Sequence, residues 1–237
     1  MTIRDGREAD LVSVIISAFN SEAYLAEAIE SVLQQDWEPL ELIVSDDGSS
    51  DSTLTVAGRF GSRLRIVEGS DEGLAATRNR GMAAAQGAYF LHLDADDLLV
   101  PGALRRLMAV FQQERLCGIA AGKFTSFVSP ELPGNVASRF ATSTEPQRGH
   151  LSGVAIIRAE VFARVGPLND KYRPASDMQW WLRAREHAVD IQLIDDLVLY
   201  RRVHGNNSSL RDSESHRQAA LGIARDALKR KRGGTAD

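Results

Sequence analysis

The chain has 237 residues, 43% of them hydrophobic and 25% charged, with 28 Lys+Arg against 32 Asp+Glu and a formal net charge of −4. This excludes fibrous, collagenous and wholly disordered chains, suits one large α/β domain or two small ones, and argues against a nucleic-acid binder, which normally carries a basic stripe. A single cysteine, Cys117, excludes an internal disulfide or a cysteine-built zinc cage and suits a reducing cytoplasm.

Leu11 to Ala18 is a β-branched apolar run without helical period and reads as a buried strand. A helix is predicted next, with Ser21 as its N-cap and an apolar stripe of Ala23, Ile29, Val32 and Leu33 that ends before Pro39. Leu40 to Ser45 reads as a second strand, Asp46 to Ser50 as a turn, Ser52 to Phe60 as a helix and Leu64 to Val67 as a third strand. The Ala-rich stretch Glu72 to Gln86 predicts a helix stopped by Gly87, and Tyr89 to Leu93 a fourth strand running into Asp94-Ala95-Asp96-Asp97. Pro101 to Arg115 is the next predicted helix.

The strand, turn, helix rhythm of residues 11–115 predicts a mostly parallel, Rossmann-like sheet flanked by helices, with ligands beyond the carboxyl ends of its strands. After Gly118 the rhythm loosens. Ile119 to Phe127 reads as a strand, Val128 to Gly149 as a long loop or lid, and His150 to Arg158 as a returning strand. Helices are predicted at Ala159 to Val165, Asp177 to His187 and Ser213 to Lys231, with a strand at Ile191 to Tyr200. With no linker between the halves, residues 116–212 read as an acceptor-side extension of the same domain, between a tail at 1–10 and a C-terminal helix with a basic tail at 213–237. No apolar run approaches the roughly 20 residues that span a bilayer, and no signal peptide opens the chain, so no transmembrane segment is expected. The Lys229 to Arg232 cluster reads as a solvated helix end.

Three acids at a strand end repel one another unless a cation meets them, so Asp94, Asp96 and Asp97 point to Mg²⁺ or Mn²⁺; a cluster capping the following helix is the other reading. Asp46-Asp47-Gly48-Ser49-Ser50-Asp51 reads as a turn before a capped helix or, with the first cluster on the same edge, as half of a nucleoside site. There Asp47 would accept from a base N–H and Asp94 from ribose hydroxyls. Arg78, within Gly73 to Gly81, is a solvated helix charge or an anion fork. His92 reads as a packed strand residue.

Together these motifs resemble family-2 glycosyltransferases, which have the GT-A fold. The match runs from Val12 to Asn20, through Glu41 to Asp51 and Gly73 to Gly81, to Phe90 to Asp97. The resemblance implies a nucleotide-sugar donor and a divalent metal, Mn²⁺ or Mg²⁺. It places Ala18 and Phe19 at the base, Asp47 and Arg78 at base or diphosphate, Asp94 at ribose or sugar and Asp96 on the metal, with Asn20 and Ala95 also in the donor site. In the second half, Ala175 to Arg183 is similar to the family segment in which a Glu-Asp pair opens an aromatic-rich helix. Ser176 replaces the Glu, whereas Asp177 keeps the position of the catalytic base; an N-cap is the alternative for it. Trp180 and Trp181 are core or a sugar-stacking face of the acceptor site, and Gly153 marks that site or a strand-edge turn. Tyr200 to Ser209 resembles the family's closing segment, which makes His204 a candidate metal ligand, beside the reading of an exposed loop histidine. Gln179 to Arg183 lacks the signature of the processive synthases, so single-sugar transfer is favoured.

The expected protein is an inverting glycosyltransferase acting on a glycan, lipid-linked or small-molecule acceptor, with a homodimer as one assembly open to it. Its expected place is the cytoplasm, with the inner membrane face for an acceptor carried there. The alternatives are a nucleotide-sugar-binding domain without turnover and a sugar nucleotidyltransferase, although Ser17 to Ser21 lacks the Gly-rich basic loop that a triphosphate needs.

Overall fold

The computed structural model describes residues 7–132, 145–149, 152–172, 175–205, 207 and 213–233. Its strands are β1 (Glu8–Ala18), β2 (Leu40–Asp46), β3 (Arg65–Glu68), β4 (Gly87–Asp94), β5 (Leu98–Leu99), β6 (Ile119–Val128), β7 (Ala155–Arg158) and β8 (Ile191–Val203). Its helices are α1 (Leu25–Leu33), α2 (Thr53–Gly58), α3 (Leu74–Ala84), α4 (Ala103–Gln113), α5 (Ala159–Val165), α6 (Ser176–Glu186) and α7 (Ser213–Gly233). One sheet in the order β3-β2-β1-β4-β7-β6-β8-β5 joins both halves, with β7 and β5 running against the rest.

Leu11 to Ala18 and Phe90 to Leu93 are buried without alternation, as strands covered on both faces must be. Register then sets the working edge. Ala18 pairs with Asp46 and Ser17 with Asp94, so β1, β2 and β4 end level with one another. Leu98 pairs with Tyr200 across the antiparallel β5 and β8, and continuing that register brings Arg202 opposite Asp96.

The inward side of α3 carries Ala75, Arg78, Gly81 and Met82. A Cβ at Gly81 would collide with the Ile15 side chain, so glycine lets α3 lie close on β1 and delivers Arg78 to the sheet edge. α7 docks through Ala219 and Ile223 against Ala175, with Leu182 alongside.

Several boundaries differ from expectation. α1 starts at Leu25 and Ser21 does not cap it: Ser21 N–H donates to Thr53 Oγ1 at 2.7 Å and its hydroxyl to Phe19 O at 3.1 Å, so it ties two loops together. α4 starts after Gly102, whose φ of 75° is left-handed and keeps Pro101 outside the helix. The returning strand is only Ala155–Arg158, because Ser152–Val154 forms a 3-10 turn. β5 was not expected; two residues carry no period. Much of the predicted lid, 133–144, lies outside the described residues, although Phe124 bridges to Gln147 beyond it.

Candidate active site

The loops after β1 and β2 form the first wall. Asn20, at a φ of 47°, accepts the Ser50 N–H at 2.9 Å and donates its own N–H to Ser49 Oγ at 2.9 Å. Asp51 accepts the Glu22 N–H at 3.1 Å, which completes a reciprocal clasp. Ala18 is buried beneath this rim, whereas the Phe19 ring stands out from it, 51% exposed.

Backbone donors hold the acids behind the clasp. Asp46 Oδ2 accepts the N–H groups of Gly48 and Ser49 at 3.0 and 2.8 Å. Asp47 is buried and accepts the N–H groups of Glu72 at 3.1 Å and Gly73 at 2.7 Å, with Arg80 Nη2 3.5 Å away. Its carboxylate therefore fixes the entry to α3.

At the second wall Arg78, 1% exposed, joins the two halves of the molecule. Its Nη2 lies 2.6 Å from Asp94 Oδ1, and its Nη1 pairs with Asp177 Oδ1. Burial alone would lower the guanidinium's pKa; the carboxylates of Asp177 and Asp94 outweigh it and raise the pKa. Asp177 sits in the first turn of α6 behind Ala175, the N-cap residue, and no side-chain bond caps the helix. Its carboxylate turns to Arg78, which disfavours the N-cap reading.

Asp94, Asp96 and Asp97 present carboxylate oxygens within 4.8 Å of one another. Burial, then the charges of Asp96 and Asp94, push Asp97 well above the usual carboxylate range, although the Arg202 N–H bonds its Oδ1 at 2.9 Å. Burial raises Asp94 as well, with Arg78 opposing and Asp96 and Asp177 adding to the rise. Such under-compensated negative charge on oxygen donors fits a divalent cation. His204 Nε2 stands 2.8 Å from Asp96 Oδ2, and Asn207 Nδ2 donates to the same oxygen at 3.0 Å. The Asp96 side chain is 26% exposed and belongs to the carboxylate cluster. His204 is buried and packs on the Tyr24 ring at 4.6 Å, so it is no loose loop histidine.

Behind it, the Arg202 guanidinium lies between the Tyr24 and Phe127 rings at 4.8 and 4.7 Å and pairs with Glu27 at 2.8 Å. Asn207 and Tyr24 were not singled out from sequence. The closing motif from Tyr200 to Ser209 contained Asn207, but nothing local marked Tyr24.

The remaining candidates lie deeper. Ala95 is buried. Trp180, 2% exposed, packs on Phe162 at 4.5 Å and donates Nε1–H to Gly166 O at 2.8 Å. Trp181 is buried edge-on to it. Gly153 lies against Leu199 and Leu93, where a Cβ would come within 2.5 Å of Leu199 Cδ1.

The family model described as Glycosyl transferase family 2 matches residues 13–162. An uncharacterized glycosyltransferase of Haemophilus influenzae is 26% identical over 92% of this chain and 73% of its own length. S. aureus TarS 1-349, solved in complex with UDP-GlcNAc, superposes with a TM-score of 0.72 at 22% identity, over 92% of this chain and 66% of that one. The mannosyltransferase PcManGT of Pyrobaculum calidifontis, in complex with GDP-Man and Mn²⁺, gives 0.71 at 19% identity, over 92% and 64%. The chain thus spans about two thirds of the length of those two structures, and 61% of a second curated relative, EpsJ of Bacillus subtilis. Their shared fold is the GT-A fold expected from the motifs. Among the described residues, no helix is long and apolar enough to cross a membrane.

Proposed function

The chain belongs to glycosyl transferase family 2, and we propose that it transfers one sugar from a nucleoside-diphosphate sugar to an acceptor hydroxyl by single displacement with inversion. The observation that carries this reading is the Asp94-Arg78-Asp177 linkage, which sets a donor-side carboxylate and a candidate base on opposite arms of one buried guanidinium. Such a linkage fixes the donor side and the acceptor side relative to each other, and a direct displacement gains from donor and acceptor being held in position.

The Phe19 ring and the Asn20 rim form the base side of the cleft, and Asp47 acts by holding the entry to α3. Asp94 accepts from a ribose or sugar hydroxyl. Asp177 takes the proton of the acceptor hydroxyl as its oxygen attacks the anomeric carbon, with Arg78 fixing the carboxylate. Asp96 and His204 would hold Mn²⁺ or Mg²⁺ beside Asp94 and Asp97, and a cation there supplies Lewis-acid neutralisation of charge on the leaving diphosphate. The complexes of the two structural neighbours, one with UDP-GlcNAc and one with GDP-Man and Mn²⁺, support the donor class and the metal.

The test is release of nucleoside diphosphate from a panel of sugar nucleotides that includes UDP-GlcNAc and GDP-mannose, with Mn²⁺ and with chelator. Release from at least one donor that chelator suppresses is expected. No release from any donor would overturn the reading.

A further inference from the structure

His92 lies on β4, two residues before the acidic strand end, is 6% exposed, and has no role in the chemistry above. Its ring stacks on Phe162, 5.8 Å between centroids and 25° from parallel, and Phe162 in turn packs on Trp180. The ring is therefore fixed. Yet its Nε2 is buried and has no hydrogen-bond partner among the described residues. An unpaired buried polar atom is costly, and such atoms in folded proteins commonly mark a bound water or a functional group.

The surroundings supply the place for one. His92 and Asp177 line the same recess of about 30 Å³, whose other walls are Ala155, Ile157, Phe162, Leu168, Trp180 and Trp181. A single water needs roughly 10 to 15 Å³ and two or more polar partners. This recess is large enough for one, and among its mostly apolar lining His92 and Asp177 are the residues with titratable side chains. A ring nitrogen left without a protein partner can share one hydrogen bond with a water.

We propose that this recess binds one water molecule between His92 Nε2 and the Asp177 carboxylate, and that His92 acts through it as a positioning residue for Asp177. Arg78 holds the carboxylate from one side and the water holds it from the other, so its orientation toward an acceptor hydroxyl is set before that hydroxyl arrives. No bond is made or broken at His92. The catalytic half of the inference rests on Asp177 being the base; the water site itself does not.

Two measurements on the full chain test it. The first is a crystal structure of the wild type, where a water is expected within hydrogen-bonding distance of both His92 Nε2 and the Asp177 carboxylate. An empty recess, or one filled by a side chain, overturns the site. The second is nucleoside-diphosphate release by His92→Leu and His92→Gln, with the donor that turns over best. His92→Leu fills similar volume without a polar tip and should lower kcat about tenfold while donor KM stays within about twofold. His92→Gln places an amide near the Nε2 position and should recover most of the rate, which a packing role would not predict. Should the leucine variant fail to fold, the glutamine variant and the wild-type crystal still decide. Full kcat in His92→Leu overturns the positioning role. Asp177→Asn separates the two readings: full activity there, with the water present, refutes the base and leaves the water site. An inactive Asp177→Asn with an empty recess keeps the base and refutes the inference.

Discussion

The two acidic strand ends look alike in sequence and are compensated in opposite ways. At the end of β2, Asp46 and Asp47 receive backbone N–H groups from Gly48, Ser49, Glu72 and Gly73, with Arg80 close to Asp47. At the end of β4, three carboxylates crowd within 4.8 Å, and both Asp94 and Asp97 are pushed upward in pKa. Fixed dipoles in a loop can satisfy two acids permanently, and those acids then shape the wall. Three acids facing a cleft keep a deficit that a mobile cation can fill. The β2 pair thus builds the site, and the β4 triad keeps the unbalanced charge that the chemistry uses.

Substitutions can break or sharpen this contrast, and the largest effect belongs to the seam between the halves. Asp177→Asn should lower the rate of nucleoside-diphosphate release to an acceptor about 10²- to 10⁴-fold with nucleotide binding unchanged, as loss of a general base does. Next comes Arg78→Met, which leaves Asp94 and Asp177 without their shared cation. Urea unfolding should show a loss of about 3 to 5 kcal/mol, the usual cost of removing one partner from a buried ionic network. A smaller loss, about 1 to 3 kcal/mol by the same measurement, is expected for Asp47→Ala, because the Glu72 and Gly73 amides lose a buried acceptor. Asp97→Asn should change metal-free stability at neutral pH in the opposite direction. The folded-state pKa of Asp97 is raised, so above the unfolded pKa the ionised carboxylate opposes folding; an amide removes that charge and keeps an oxygen for Arg202 N–H.

The last effect is absent at neutral pH and appears in acid as a slope. With His92 near 3 in the fold and about 6.5 when unfolded, only the unfolded chain gains that proton as pH falls from about 6.5 toward 3. Stability should then drop by about 1.4 kcal/mol per pH unit in that window and be indifferent to His92 above it. Comparison of wild type with His92→Gln by thermal unfolding in acid buffers isolates this slope.

Legibility in the sequence followed the same division. β1, β2 and β4 carry continuous apolar runs that end in Asn20, Asp46 and Asp94, and a run buried on both faces is visible without knowing its partners. The second half was harder because its placement depends on pairing. Two residues, Leu98 and Leu99, make β5 only because β8 lies beside them. The salt bridge from Arg78 to Asp177 spans 99 positions. Nothing local told whether Arg78 faced solvent; the inward stripe of α3 and the glycine at 81 decide it. Ser21 misled for a related reason, since its helix-capping chemistry serves equally well to join two loops. The carboxylates themselves were legible as a group, while the difference between the amide-bound pair and the under-compensated triad required the loops that fold back on them.

The most direct test of that difference is a thermal-shift titration of the metal-free wild type with UDP and GDP, with and without Mn²⁺, alongside Asp96→Ala. The wild type should gain about 5 °C at a hundredfold excess over Kd for one nucleotide, only when Mn²⁺ is present, and Asp96→Ala should not respond. Equal stabilisation of both proteins, or none by either nucleotide with Mn²⁺, would contradict the assignment of the β4 triad as the cation site of a nucleotide-sugar enzyme.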